Sequence, residues 1–381
     1  MHRHSEVLQS VLKHTRRKRR ILQITGPRQS GKTTLITHAV KTSRRRVLYL
    51  DGSRINSAGM LLRDLRAASA ECLVIDNAHT HEHLPALIAV IADGGFRGSF
   101  ILCGRQQPGY PVPVDALENA VSPFGFALCE TTLLPLSIAE LPESDNPDAL
   151  DALLPNILVH GLYPAVRDDA GADYDTPRDA LETLMQDYIL GDIRREQRIR
   201  GEQGFLYLMR LLAYTPGTEL GLRPLMRHTG LHAATLQRYI HILKGQFLIF
   251  SLPSFARNGT GELRNGEQVY FYDTGVRNAV LADFKPWKTR PDKAALWHTF
   301  LMSERKKSIT ARNISVSAFF WRNYHGASVD YLEEQNGSYH AFCFSPDENT
   351  SPPLPDAFKR AYPEAAYTVV NPSNWQEFVL L

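Results

Sequence analysis

Cysteine is scarce in this sequence and nowhere paired. The four thiols, Cys72, Cys103, Cys129 and Cys343, are scattered through 381 residues. None sits at CxxC or zinc-ligand spacing, which excludes a cysteine metal knuckle and leaves ordinary buried thiols as the expectation. Long apolar runs are missing as well. The longest, such as residues 86–92, fall far short of the ~20 residues that cross a bilayer, so no membrane span is expected. The first residues, Met1 to Ser5, lead into an amphipathic segment without the apolar core and small-residue cleavage site of a signal peptide, and a cytoplasmic location is expected. Internal repeats and low-complexity tracts are also lacking.

What is present is the composition of a folded chain, with 43% hydrophobic and 22% charged residues. Its length exceeds one ordinary hydrophobic core and predicts two or three domains. The net charge of +3 hides a skewed distribution. Arg16, Arg17, Lys18, Arg19 and Arg20 form one run and Arg44, Arg45 and Arg46 another, against Glu6 as the single acid in the first fifty residues. Such a stripe attracts polyanions, and DNA or RNA is one partner it admits. The same runs also serve as solvated ends of strands, and both readings stay open.

Short apolar runs at 21–25, 47–51, 72–76, 99–103 and 125–130 alternate with helix-like stretches at 32–41, 58–68 and 84–92. That alternation predicts an α/β domain with a parallel sheet over residues 1–142. A polar stretch with two prolines at 142–148 reads as the first boundary. Residues 143–285 are expected to be mainly helical, with apolar spacing of three and four at 206–214, 222–228 and 234–244. Residues 286–381 read as a small α+β unit, with a helix at 294–307 and strands at 316–321, 329–333 and 339–344.

Gly26, Pro27, Arg28, Gln29, Ser30, Gly31, Lys32 and Thr33 satisfy G-x-x-x-x-G-K-[ST] directly after a strand and at the start of a helix, with Thr34 following. Glycines at both ends let the backbone curl until amide hydrogens face inward, and the helix N-terminus adds its positive end. The expected ligand is ATP with Mg2+: Lys32 reaches the β- and γ-phosphates, and the Thr33 hydroxyl ligates the metal. A second acid should end another apolar strand, and Asp76 fits that place. Asn77 follows it. An asparagine orients water by hydrogen bonding but accepts no proton at neutral pH, so hydrolysis is expected to be slow or to use another base, with His79, His81 and Glu82 nearby in sequence. Asp51, ending another strand, is either a further acid or a turn cap. Arg105, after the strand at 99–103, is a candidate contact to phosphate or toward a neighbouring subunit, or a solvated or salt-bridged loop residue.

The helices at 222–228 and 234–244, with a turn at 229–232 between them, have helix-turn-helix spacing, and runs at 247–252 and 268–273 joined by the loop 258–266 read as a wing. The segment can dock in a DNA groove or pack on its own neighbours. In order, the loop from Ile24 to Leu35, the strand ending at Asp76, Pro135-Leu136-Ser137 with Glu140-Leu141, Gly161-Leu162-Tyr163-Pro164, Asp187-Tyr188 with Asp192, Thr235 with Tyr239-Ile240, and Tyr270-Phe271-Tyr272-Asp273-Thr274-Gly275 resemble a bacterial and archaeal family of P-loop ATPases. That family has an AAA-like core, a middle winged-helix region and a C-terminal restriction-endonuclease-like domain. The resemblance implies ATP binding and possible assembly into homo-oligomers. This chain departs from the family at Asn77, where a glutamate is usual, and at Gly104-Arg105, where a Gly-Ser turn is usual. In the tail, Asp330 matches a metal-binding acid, but His340, Ala341 and Phe342 stand where Glu-x-Lys is expected. The resemblance therefore implies a degenerate nuclease-like domain.

Overall fold

The computed structural model describes residues 19–380 except 56, 82, 106–113, 168–175, 200 and 258–261, and of residues 114, 189, 190 and 196 it describes the backbone alone. Arg16, Arg17, Lys18 and Glu82, and part of the expected wing loop, lie outside the described residues. The chain divides into two compact units at Pro135/Leu136.

The first unit is built on five parallel strands, β1 (Arg20–Thr25), β2 (Val47–Asp51), β3 (Cys72–Asp76), β4 (Ser99–Cys103) and β5 (Ala127–Thr132), in the order β2-β3-β4-β1-β5. Every residue of β3 and β4 is buried, as continuous apolar runs covered on both faces must be, whereas the edge strands β2 and β5 are only partly covered. Alternation along each strand divides the core in two. Leu73, Ile75, Phe100 and Leu102 face the helices Ala58–Ala67, Leu84–Asp93 and Val114–Val121. Cys72, Val74, Ile101 and Cys103 face Leu35, Ile36 and Ala39 of the helix Lys32–Thr42. The chain leaves β1 toward the β2 edge and leaves β4 toward the β5 edge, so a crevice opens over the carboxyl ends of the adjacent strands β1 and β4.

The second unit runs from Leu136. The expected boundary at 142 is not where the first unit ends, because the backbone before it is already fixed in the second. Leu136 donates its N–H to the Leu162 carbonyl at 3.1 Å, and Ile138 donates to Glu304 Oε2 at 2.8 Å. Pro147, read from sequence as part of a linker, is instead the first residue of the helix Pro147–His160, where its missing N–H costs nothing, with Asn146 as the cap.

The strands β6 (Ile249–Pro253) and β7 (Glu267–Phe271) pair antiparallel. A second sheet has the order β11-β10-β9-β8 and consists of β8 (Ser317–Arg322), β9 (Ser328–Gln335), β10 (Ser338–Phe344) and β11 (Ala366–Val370). The last of these was not foreseen from the sequence. The helix expected at 294–307 extends over Lys293–Arg312 and ends on Asn313 in the left-handed region, which asparagine tolerates well. One apolar cluster takes Leu150 and Leu158, Phe250 and Tyr270, Trp297 and Phe300, and Tyr331 and Phe378, so residues from both expected later domains share a core. Among the described residues, no helix is long and apolar enough to cross a membrane.

Several of the sequence landmarks after residue 135 converge on a buried charged cluster. Lys307 donates to the Leu136 carbonyl at 3.0 Å and to Glu304 Oε1 at 2.8 Å, with Asp273 Oδ2 at 3.9 Å. Asp273 accepts the N–H groups of Leu162 at 2.7 Å and Val276 at 3.1 Å. At Gly161, with φ of 70°, a Cβ would sit 2.1 Å from Asp273 Oδ1. Loss of the ammonium would leave two buried acids without their cation, at a cost of about 3–5 kcal/mol. Lys307→Met should therefore lower the denaturant midpoint of the second unit by that equivalent in chemical unfolding of the full chain. A change below about 1 kcal/mol would remove the cluster from the forces holding this unit.

Candidate nucleotide site

Thr25 ends β1, and the chain turns at once. Gly26 has φ of 152°, and a Cβ there would lie 2.1 Å from the Leu133 carbonyl oxygen, so the close approach of β1 and β5 admits only glycine. Gln29 sits at φ 61° and Gly31 at φ 91°, both left-handed, with Ser30 donating its N–H to the Pro27 carbonyl at 3.4 Å. Gly31 then caps the helix Lys32–Thr42, whose first bond runs from the Leu35 N–H to the Gly31 carbonyl at 2.8 Å. Gly26, Pro27 and Ser30 are buried; Arg28, Gln29, Gly31 and Lys32 are half-buried, and Thr33 and Thr34 are exposed. The Lys32 ammonium lies over the bend, donating to the carbonyls of Gly26 at 3.0 Å and Pro27 at 2.5 Å. Burial pulls its pKa down to about 8, against the opposing pull of Cys103 and Asp76.

Asp76 is 4% exposed at the carboxyl end of β3, one strand removed from β1 because β4 lies between them. Its Oδ2 accepts from the Thr33 hydroxyl at 2.8 Å and from the Tyr49 hydroxyl at 2.7 Å, and its Oδ1 accepts the Asn77 N–H at 2.9 Å. The two expected metal-binding residues, Thr33 and Asp76, are thus in contact. Their donors are all oxygen, the set that suits Mg2+ rather than a softer metal. Tyr49 was not expected from the sequence. The signal available was its place two residues before Asp51 in β2, where period two puts both on one side of the strand. Burial, then the bond to Asp76, pushes its hydroxyl pKa up.

Asn77 adopts φ of 51° and donates its side-chain amide to Asp51 Oδ2 at 2.7 Å. Asp51 also accepts from the Ser53 N–H at 2.9 Å, so it caps the turn after β2, the plainer of its two expected roles. Arg105 follows the end of β4 and donates from Nε to His79 Nε2 at 3.1 Å. Burial, reinforced by Arg105 and Lys32, lowers His79 to about 4, so the ring is neutral at neutral pH and a poor proton acceptor. Cys103 is wholly buried at the end of β4, where burial and the nearby Asp76 push its thiol well up. Lys32, Thr33, Asp76, Asn77 and Arg105 therefore all lie at the carboxyl edge of one sheet.

Asp330, the candidate acid of the tail, accepts the Phe344 N–H at 2.8 Å, and Glu333 on the same strand is bound by Arg305 through both oxygens at 2.7 and 2.6 Å.

Residues 18–141 match the family model described as an AAA domain, and residues 151–286 match one described as a domain of unknown function. No curated protein matches the chain in sequence. Among solved structures, a Walker-type ATPase of Pyrococcus abyssi is 13% identical, with 73% of this chain and 94% of that one covered and a TM-score of 0.42. A Holliday junction branch migration motor of Thermotoga maritima is 17% identical over 65% and 88%, with a TM-score of 0.30. A signal transduction ATPase from Pyrococcus horikoshii with a tetratricopeptide repeat sensor is 11% identical over 80% and 46%, with a TM-score of 0.28. TM-scores this low carry no argument about this chain. The family match and the geometry together make residues 18–141 an AAA-like P-loop ATPase domain.

Proposed function

We propose that the chain binds Mg2+-ATP in the crevice over β1 and β4 and hydrolyses it slowly, using nucleotide occupancy to change the relation between its domains or its assembly into homo-oligomers. The observation that carries this reading is the 2.8 Å contact between Thr33 and Asp76 beside an ammonium that donates to two loop carbonyls. Lys32 exchanges those carbonyls for β- and γ-phosphate oxygens, and the amide groups from Arg28 to Thr34 face the phosphates. Thr33 and Asp76 would hold the magnesium, which would offset phosphate charge. Arg105, at the end of β4, senses the γ-phosphate, and loss of that phosphate releases it.

Slow turnover follows from Asn77. Its amide is a donor to Asp51 and offers no base, and His79 is too weakly basic to replace one. The middle segment is read as a winged helix. What supports it is the order of the helix Glu202–Tyr214, a bridge from Glu219 to Gln268, the helices Leu222–Thr229 and Ala233–Gly245, and the β6–β7 pair. The domain limits 1–142, 143–285 and 286–381 are kept as a functional partition, with the tail an inert nuclease-like module whose acids are engaged within the fold.

A second reading, an ATPase directed to DNA or RNA, is favoured by one feature. No aspartate or glutamate occurs between Glu219 and Glu262, while Arg223, Arg227, Arg238 and His241 in this stretch are exposed.

Lys32→Ala should weaken binding of an ATP analogue with magnesium at least tenfold in calorimetry, since a charge-assisted contact is lost. Unchanged affinity would sink the assignment. Because the free ammonium loses its proton as pH rises through about 8 and phosphate favours the charged form, binding should take up a proton above that pH. Affinity should then fall between pH 7 and 9, by up to about tenfold per unit, and the slope should vanish in Lys32→Ala. The paired change Asp51→Asn with Asn77→Glu supplies a carboxylate without setting it against Asp51. Steady-state phosphate release should rise at least tenfold, within the range a general base contributes. No rise would place the attacking water away from residue 77.

A further inference from the structure

The amino edge of the first sheet, at the opposite end from the nucleotide site, gathers exposed arginines. Parallel strands start on one side, so the residues up to Arg46 before β2 and Arg19 before β1 arrive together. Backbone bonds fix the row: the Glu71 N–H donates to the Arg46 carbonyl, the Ser99 N–H to the Glu71 carbonyl, the Arg19 N–H to the Gly98 carbonyl, and the Ala127 N–H to the Arg19 carbonyl. At about 4.8 Å per strand, the segment from Arg46 past Arg97 to Arg19 spans roughly 15 Å.

Arg19, Arg44, Arg46, Arg66 and Arg97 are exposed, and among the described residues none of them lies within ion-pair distance of a carboxylate. In the second unit, by contrast, Arg178, Arg194, Arg277, Arg290 and Arg305 each hold an acid. Glu71 is the carboxylate at the row, where its Oε2 accepts the Arg46 backbone N–H at 3.4 Å, and against five arginines it leaves an excess of positive charge.

Three of these arginines line a cavity of about 440 Å³ with Leu62, Leu65 and Phe96. Arg46 Nε donates to the Ser69 carbonyl at 2.7 Å, Arg66 Nη2 to the Gly94 carbonyl at 2.8 Å, and Arg97 Nη1 to the Ala92 and Phe96 carbonyls at 2.5 and 3.1 Å. These bonds tie the side chains to the ends of two helices, where a cation is favourable. They use one nitrogen of each guanidinium and leave the others free to donate, so the arginines are held in place rather than spent.

We propose that this edge binds single-stranded nucleic acid, with the guanidinium row on successive phosphates and the cavity receiving a base beside Phe96. Guanidinium groups match phosphate geometry in pairs, and a linear row suits a strand. The apolar floor with an aromatic ring suits a nucleobase, which a flat anionic membrane or a polyglutamate peptide does not offer. The inference does not depend on nucleotide binding at Lys32, and its test is made without nucleotide.

The measurement is fluorescence anisotropy of a labelled 20-nucleotide strand, as DNA and as RNA, with the full chain from 50 to 200 mM KCl. The wild-type protein should bind with affinity falling as salt rises. Arg46→Gln/Arg66→Gln/Arg97→Gln should bind at least tenfold more weakly, with a salt slope smaller by about 2, at about 0.7 per lost phosphate contact. Arg46→Lys/Arg66→Lys/Arg97→Lys should stay within about threefold of wild type. Arg44 is exposed and lies outside the helices whose ends the other three hold, and Arg44→Glu should lose about threefold even if the triple variant fails to fold. Overturning results are no binding at 50 mM KCl, a folded triple glutamine variant with wild-type affinity, equal capture of polyglutamate or anionic vesicles, or a loss found instead in Arg223→Gln/Arg227→Gln.

Discussion

The first unit depends on the carboxylate of Asp76. It is buried at the end of β3, and its oxygens receive a hydroxyl from the phosphate loop, a hydroxyl from β2 and the amide of the residue that follows it. A buried carboxylate without such donors would be costly, and with them it becomes a fixed point from which the loop, two strands and the start of a helix are positioned. The insertion of β4 between β1 and β3 makes this contact necessary. Without it, the loop after β1 and the acid after β3 would belong to strands that do not touch.

The second unit solves a related problem away from any phosphate. Asp273, Glu304 and Lys307 are each about 2% exposed, and each has a hydrogen bond to a backbone group more than a hundred residues away in sequence. A buried charge set of this kind gives modest net stability but tolerates few alternative arrangements. It explains why Gly161-Leu162, Tyr270 to Gly275 and Leu136 are spaced so far apart yet belong together. As markers of resemblance they record how the chain folds, and the chemistry of the first unit lies elsewhere.

Much of this was legible in the sequence. The strands of the first sheet are apolar runs bounded by glycine, proline or acid, and the loop has fixed spacing, so Lys32, Thr33, Asp76, Asn77 and Arg105 could be named before any contact was known. The partner of Asp76 could not. Tyr49 is an ordinary aromatic residue in a strand until the sheet order brings β2 beside β3. The same limit hid the role of Pro147, which reads as a break in composition and is a helix start in structure. β11 escaped notice because its run from Ala366 to Val370 is short and only partly buried, and it is paired to β10 by a parallel connection that leaves no local turn signal.

Polarity of the sheet links what the two ends of the first unit carry. In a parallel sheet every strand begins on one side and ends on the other, and the covering helices run the opposite way. Helix N-termini and the turning loops thus collect at the carboxyl edge, where amide hydrogens attract anions. Helix C-termini collect at the amino edge, where their carbonyls attract cations instead. Arginines recruited there first as caps, such as Arg66 on Gly94 and Arg97 on Ala92, remain only partly used. The same topology that builds a site for a small polyphosphate at one end thereby concentrates unneutralised guanidinium groups at the other. A partner that met those groups would contact the amino ends of β1 and β4, the two strands whose carboxyl ends carry the phosphate loop and Arg105.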